Sequence, residues 1–311
     1  MNIDELKELQ KKIIKRNKVC NTIGILLFLS ISAIISFILW QKKIEIQFII
    51  FSILFVGAVC AIIITIIKSI INSKNINRFN QEFKNIFVLN ALKKNFENIN
   101  YDEGQGFDED FVENMNMLDT GDAFHSNDYI EGKYKNINFS QSDIHILEKH
   151  EEKDMDGDKK EVWKTIFLGR LMIFDFNKTF KANLQVISSY FYPRALTRKI
   201  KLNKVTLEDP EFNDEFTVLA ENEHEAFYIL TPHFMERIKE LTNKLNCPIM
   251  FYFSNNKLNI AINNNDDSFE WDVLKPINEK IIEENITKDI KLITDFVDEL
   301  NLDNDLFKKE V

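Results

Sequence analysis

Residues 20–40, CNTIGILLFLSISAIISFILW, and residues 46–67, IQFIIFSILFVGAVCAIIITII, decide the architecture of this chain. Neither stretch contains a charge. Each holds about 20 residues, and at about 1.5 Å of rise per residue a helix of that length matches a hydrocarbon core of about 30 Å. Backbone groups in lipid have no water to bond, so each stretch is expected to be helical. Gln41-Lys42-Lys43-Ile44-Glu45 between them is short and polar, which predicts a tight antiparallel transmembrane hairpin. A cleaved signal peptide fits poorly, because the polar N-terminal segment is long and no small-residue cleavage site precedes the second stretch.

The flanks orient the hairpin. Lys7, Lys11, Lys12, Lys15, Arg16 and Lys18 precede the first span, and Lys68, Lys74, Arg78 and Lys84 follow the second. The connecting loop carries only Lys42 and Lys43. The positive-inside bias therefore places both termini in the cytoplasm of a cell-membrane protein with two spans. On that side the Asn-Phe-Ser at 138–140 and Asn-Lys-Thr at 177–179 are not expected to be glycosylated.

Apolar residues crowd into 20–71, and the remainder of the 311 residues is charged and Asn-rich. Ile, Asn, Lys and Phe dominate while Gly (8) and Pro (5) are scarce, a usage typical of AT-rich bacterial genomes. The net charge is −10, with most of the excess acid after residue 100. A duplex binder needs cations to displace the phosphate counterions, so nucleic acid is not an expected partner. Cys20, Cys60 and Cys247 have no metal-site spacing and suggest no disulfide framework, which suits a reducing compartment.

Residues 2–19 place Ile3, Leu6, Leu9, Ile13 and Ile14 on one helical stripe, and 68–97 do the same with Ile71, Phe79, Phe83, Phe87 and Leu92. These extensions either pair as a short stalk or lie separately at the interface or on the main domain. Residues 98–128, acidic and carrying Gly104 and Gly106, read as a linker with one weak helix near 107–116. From about 128 the period changes to strands: Tyr129–Lys135 and Ile137–Ser140 around a Lys-Asn turn, then Asp143–Lys149 and Val162–Phe176, with Gly169 expected at a bulge or break. Asn183–Phe191, Thr217–Ala220 and Glu225–Leu230 are further strand candidates. Asp209-Pro210-Glu211 and Thr231-Pro232 read as helix starts, each with a capping residue followed by proline at the first helical position. PIMFYFSNNKLNIAI at 248–262 is the cleanest hairpin, and a long amphipathic helix closes the chain through Ile282, Ile286, Ile290, Ile293, Val297 and Leu300. The expected organisation is a cytoplasmic N-terminal amphipathic helix (1–19), a transmembrane hairpin (20–67), a juxtamembrane helix and acidic linker (68–127), and a cytoplasmic domain (128–311). Its fold class is α+β, an antiparallel sheet with flanking helices.

YIEGKYKNINFSQSDIHILEK at 129–149, FLGRLMIFDFNKTF at 167–180, VTLEDPEFNDEFTVL at 205–219, and ILTPHFMERI with FYFSNNKLNIAI across 229–262 resemble the bacterial family known as domain of unknown function 3137. Together they span about half the chain. The family also has a two-helix N-terminal anchor, which the hairpin matches in arrangement more than in residues. The resemblance implies membership and no activity, and it supplies no catalytic residues to carry over.

Catalytic motifs are not visible. There is no Gly-x-Ser-x-Gly elbow, no phosphate loop and no HExxH or HxH among the five histidines. The Asp154-Met155-Asp156-Gly157-Asp158 run has its glycine at the wrong place for an EF-hand, and a hairpin turn explains it better. Neither a metal nor a cofactor is expected. Cys247, at a helix end before Pro248, reads as structural, since nothing near it in sequence would lower its pKa. His145 shares a strand face with Asp143, an i, i+2 relation that permits a carboxylate–imidazole pair. Asp175, Asn177 and Lys178 cluster at a strand end, where polar groups either cap a turn or bind a ligand. Residues 190–204, YFYPRALTRKIKLNK, carry Arg194, Arg198, Lys199, Lys201 and Lys204 without an acid. Near an anionic leaflet each cation would add about 1 kcal/mol of attraction.

The sequence thus points to a membrane-tethered binding or scaffold module, with the lipid bilayer, an anionic lipid or a protein as partners. A membrane-bound hydrolase built on dispersed residues such as His145, Asp175 and Asn177 is the alternative. An oligomeric structural assembly is the third reading, with homo-oligomerisation left open.

Overall fold

A computed structural model of the protein describes residues 1–153, 159–176, 180, 182–191 and 201–302. The acidic turn at 154–158, together with Asn177, Lys178, Arg194, Arg198 and Lys199, lies outside the described residues. The chain divides into two units, Met1–Phe87 with Trp271–Ile282, and Val88–Glu270 with Glu283 onward.

The first unit is built on helices α1 (Ile3–Gln41) and α2 (Ile46–Phe83). Asn2 opens α1 with a capping box, its side chain accepting from Glu5 N at 2.8 Å. Both helices are long and apolar enough to cross a membrane, and only 11% of the most apolar window of α1 and none of that of α2 is buried. A soluble core helix would hide that surface. Below the apolar stretches the helices pair, as one reading of the stripes expects. Leu6, Ile13 and Phe79 are fully buried, Asn72 Nδ2 donates to Asn17 Oδ1 at 2.9 Å, and the N-terminal amine sits 3.4 Å from Glu82. The Trp271–Ile282 segment seats on this stalk. Phe83 stacks on Trp271 with ring centroids 6.0 Å apart, and Gln10 Nε2 donates to the carbonyls of Val273 and Lys275.

The second unit begins with α3 (Leu89–Asn95) and is an antiparallel nine-stranded sheet with helices on both faces, an α+β fold. Its elements run β1 (Glu97–Asp102), α4 (Glu109–Asn114), β2 (Ala123–Tyr134), β3 (Ile137–Lys153), β4 (Lys159–Asp175), β5 (Leu184–Ser188), β6 (Asn203–Val205), α5 (Pro210–Glu215), β7 (Phe216–Ala220), α6 (Glu223–Ile229), α7 (Pro232–Leu245), β8 (Ile249–Ser254), β9 (Lys257–Ile262) and α8 (Glu279–Glu299). The spatial order is β1-β2-β3-β4-β9-β8-β5-β7-β6. Two tight turns set the register. Lys135-Asn136 (φ 46° and 65°) joins β2 to β3, and Asn255-Asn256 (φ 53° and 57°) joins β8 to β9. Positive φ at both central residues matches the strand twist, which is why asparagine sits there.

Strand alternation divides the side chains between two layers. One face carries Phe174, Phe251 and Phe253, covered by α7 and by the part of α8 after Glu283; Phe296 of α8 is fully buried, 6.2 Å from Phe174 and 6.4 Å from Phe251. A side chain buried to that degree contributes roughly 1.5–3 kcal/mol. The other face carries Ile144, Leu171, Met250 and Ala261, covered by residues 107–118, whose Phe107, Val112, Met117 and Leu118 join the same core cluster.

Three sequence expectations change. The supposed linker contributes edge strand β1 and the layer around α4, because Ile99 and Tyr101 alternate with Asn98, Asn100 and Asp102, and Phe107, Val112, Met117 and Leu118 are apolar among polar neighbours. Glu225–Leu230 is helical, not a strand: Asn222 caps α6 by accepting from His224 N at 3.0 Å, and Leu230 N closes on Ala226 O at 2.8 Å. Gly169 keeps regular register opposite Ile144, and the shift falls between Ile146 and Leu147 instead. What needs the glycine is close approach, since a Cβ there would collide with the Ile262 carbonyl. The helix starts at Asp209 and Thr231 form as expected, each side chain accepting from the backbone N–H three residues on. Replacing Thr231 with Ala is expected to cost about 1 kcal/mol in thermal unfolding, the usual value of an N-cap. A midpoint unchanged from the parent protein would show that Pro232 alone starts α7.

Candidate functional site

On the sheet face beneath α4, a cleft of 480 Å³ opens between that helix and the β8–β9 turn. Its lining includes the amides and hydroxyls of Asn114, Asn116, Asn183, Asn259, Ser140 and Tyr252, with Phe111 and Met115 on the helix side and Lys257 at the rim. The sequence folds this way because the turn asparagines hold the hairpin, while Gln185 from β5 donates to Asn116 O at 3.0 Å and ties the end of α4 to the sheet. Tyr252 donates to Asn183 Oδ1 at 2.7 Å, and Asn259 donates to Tyr252 O at 2.9 Å, so the floor is preorganised. Burial pushes the Tyr252 hydroxyl up to about 12, which keeps it a neutral donor. Among the described lining residues no nucleophile stands beside a base, and the lining offers neutral hydrogen-bond donors and acceptors.

Asp175 borders this cleft. It is paired with Lys257 across the β4–β9 ladder at 3.2 Å and accepts from Asn138 at 2.7 Å. His145 lies elsewhere. Between positions 138 and 145 the strand advances about 23 Å at about 3.3 Å per residue, so His145 and Asp175 do not converge. His145 instead meets Thr165 Oγ1 at 2.9 Å and the His125 ring at 6.2 Å, and burial followed by the neighbouring imidazole lowers its pKa. Lys201 and Lys204 are exposed at and just before β6. Cys247 is half-buried, and burial pushes its thiol up to about 11, the direction opposite to an activated nucleophile.

A second polar cluster, which the sequence did not announce, lies on the opposite sheet face. Arg170 of β4 is 2% exposed and donates through Nη1 to Asp289 O at 2.9 Å and through Nη2 to the Asp289 carboxylate. Its guanidinium lies 5.4 Å from the Phe269 ring centroid. Asp143 of β3, paired in register with Arg170, accepts from Ser268 N at 2.6 Å and from the Ser268 hydroxyl. Asp128 sits in the bulge of β2 with φ 53°, fully buried, and accepts from the Tyr101 hydroxyl at 2.5 Å and from Asn127 at 2.8 Å. Carboxylate oxygens of Asp128, Asp143 and Asp267 lie within 4.8 Å of one another. Burial holds the Asp143 pKa well above the carboxylate range although Arg170 and Ser268 pull it down, and burial with Asp128 beside it raises that of Tyr101. Only a relation between residues distant in sequence brings these groups together, and the i, i+2 reading of Asp143 with His145 pointed to the wrong partner.

Residues 165–302 match DUF3137, a family described as a protein of unknown function. The resemblance found in the sequence holds over that stretch. The DUF3137 match takes in the β8–β9 hairpin, Arg170, Asp267, Ser268 and Asp289, while Asp128, Asp143 and α4 precede it. Among solved structures, the crystal structure of the mycobacterial trehalose monomycolate transport factor A, TtfA, is similar at a TM-score of 0.38 and 8% identity, covering 75% of this chain and 97% of that one. Among curated proteins none matches the chain.

Proposed function

We propose that the protein is a membrane-tethered binding module. In this reading α1 and α2 cross the bilayer as a hairpin, both termini and the sheet unit are cytoplasmic, and the cleft beneath α4 receives a small polar ligand. The observation that carries it is the amide- and hydroxyl-lined cleft on a rigid sheet, which offers many neutral donors and acceptors and one cation. Pockets with a few convergent polar groups on a preformed surface are the usual binding sites of folded domains. The tether is supported by the unburied apolar surface of both helices and by the cations that flank them. Exposed Lys201 and Lys204 support contact with an anionic lipid or protein. The separation of His145 from Asp175 weighs against the dispersed hydrolase.

The test is capture of the full-length protein from native membranes in mild detergent, with mass spectrometry of retained small molecules. Ser140→Trp fills the cleft floor from β3 without removing any of the described hydrogen bonds. The expected result is a molecule retained by the parent protein and lost from Ser140→Trp at equal yield and melting temperature. An unliganded parent, or retention unchanged in the variant, would overturn the reading.

A further inference from the structure

The lining of the cleft beneath α4 is close to neutral. Among its described residues the one charged side chain is Lys257, and that ammonium stands 3.2 Å from Asp175. Tyr252 is held neutral by burial. A charged ligand would enter without a counter-charge of its own, and an uncompensated charge is costly to desolvate. The cleft therefore suits an uncharged molecule.

Its floor is a single register row. Ser140 of β3, Ile173 of β4, Asn259 of β9 and Tyr252 of β8 are successive cross-strand partners, so their side chains project from one face. With neighbouring strands about 4.8 Å apart, the row runs about 14 Å from Ser140 to Tyr252. Two amides here are anchored by one atom and leave the other open. Asn259, 3% exposed, donates through Nδ2 to Tyr252 O at 2.9 Å, while its Oδ1 has no hydrogen bond among the described residues. Asn183 accepts from the Tyr252 hydroxyl through Oδ1 at 2.7 Å, and its Nδ2 is unbonded in the same sense. The Ser140 hydroxyl has no partner there either. The cleft thus offers a fixed acceptor, a fixed donor and a hydroxyl that does both. A ligand hydroxyl, which donates and accepts at once, satisfies each of them.

The helix side is different. Phe111 of α4 is 45% exposed, and its ring leans on Phe107 with centroids 5.4 Å apart. The negative face of an aromatic ring attracts C–H groups that neighbouring oxygens have polarised. A peptide strand adding to a sheet would need a free edge, whereas this row lies on the sheet face between β3 and β8. We propose that the ligand of the cleft is a neutral sugar, free or as the headgroup of a glycolipid, with hydroxyls on Asn259, Asn183 and Ser140 and a C–H face on Phe111. This assignment rests on the reading of the cleft as a ligand site.

The experiment uses the full-length protein in a detergent without a sugar headgroup, since a maltoside would compete. Saturation-transfer NMR at millimolar ligand is run with glucose, galactose, mannose, maltose and sucrose as probes. Glucuronate serves as the anionic counterpart of glucose, and uridine and diglycine amide as neutral ligands of other chemistry. Parent, Phe111→Ala and Ser140→Trp are compared at equal melting temperature. The expected result is transfer to at least one neutral sugar, about five- to tenfold weaker binding in Phe111→Ala, and none in Ser140→Trp. Displacement of that sugar by vesicles of a neutral glucosyl diacylglycerol, and not by phosphatidylglycerol vesicles, assigns a glycolipid headgroup; no displacement assigns the free sugar, and both keep the assignment. Uridine or diglycine amide bound in the parent and lost in Ser140→Trp, with no sugar bound, would overturn the sugar and leave the cleft a ligand site. Preference for glucuronate over glucose would overturn the neutral class. Sugar binding that persists in Ser140→Trp, or silence from every sugar, would overturn the assignment as well.

Discussion

Replacing Arg170 with Met is expected to destabilise the sheet unit by about 3–5 kcal/mol, the cost of removing one partner of a buried ion pair. The stem of Arg170 fills space between β4 and α8, and Met conserves much of that volume, so the loss is electrostatic. Asp289, which now receives two hydrogen bonds from the guanidinium, would be left with the Phe269 N–H, 3.1 Å from its carboxylate. Asp143 would lose the nearest positive charge while remaining buried. Arg170→Lys keeps the charge but cannot span both acceptors of Asp289, so it should fall between Met and the parent. Adding Asp289→Asn to Arg170→Met should recover part of the loss, because the second change removes the stranded charge. Unfolding followed by circular dichroism on the full-length protein reads all four proteins. A loss under about 1 kcal/mol for Arg170→Met would show that the cluster is solvated and that Arg170 acts as a surface residue.

How much of this was legible in the sequence differs by level. The apolar runs, the Lys-Asn and Asn-Asn turns and the closing amphipathic helix are local signals, written in consecutive residues, and each forms where it was read. Residues 97–118 failed as a reading because their apolar side chains are spaced among acids, and burial there comes from the sheet they cover. Glu225–Leu230 failed for a related reason. Ala-Phe-Tyr-Ile-Leu is a plausible strand by composition, and Asn222 as a cap tips it to a helix. The cleft could not be read at all. Asn114, Asn183 and Asn259 are remote from one another in sequence, and asparagine is so common in this chain that none of them stands out. The buried cluster had one visible clue: Arg170 and Asp143 lie in strands whose apolar neighbours are core residues. A charge in such a run is expected to have a buried partner, and the partner could be named only from the register of β3 with β4.

Gly169→Ala is expected to cost about 3 kcal/mol or more, although it adds a single methyl group. The new Cβ would overlap the carbonyl oxygen of Ile262 and stand 2.9 Å from Asn264 Oδ1 and 3.0 Å from the Ile262 carbonyl carbon. Two of these three atoms are backbone, so no rotamer change relieves the overlap and the strap after β9 must move. That strap is held by Leu168 N donating to Asn263 Oδ1 at 3.1 Å, Asn263 Nδ2 donating to Ile166 O at 3.3 Å, and Asn265 N donating to Leu168 O at 2.8 Å. Losing three hydrogen bonds at about 1 kcal/mol each accounts for most of the expected cost, and overpacking adds about 1–3 kcal/mol where the backbone cannot yield. The same strap continues into Asp267 and Ser268, which engage Asn127 and Asp143. The variant should therefore also loosen the contacts of the strap with β2 and β3, whereas Thr231→Ala should leave them in place. A Gly169→Ala protein that melts with the parent would mean that the strap yields freely and that its three hydrogen bonds to β4 do not fix its position.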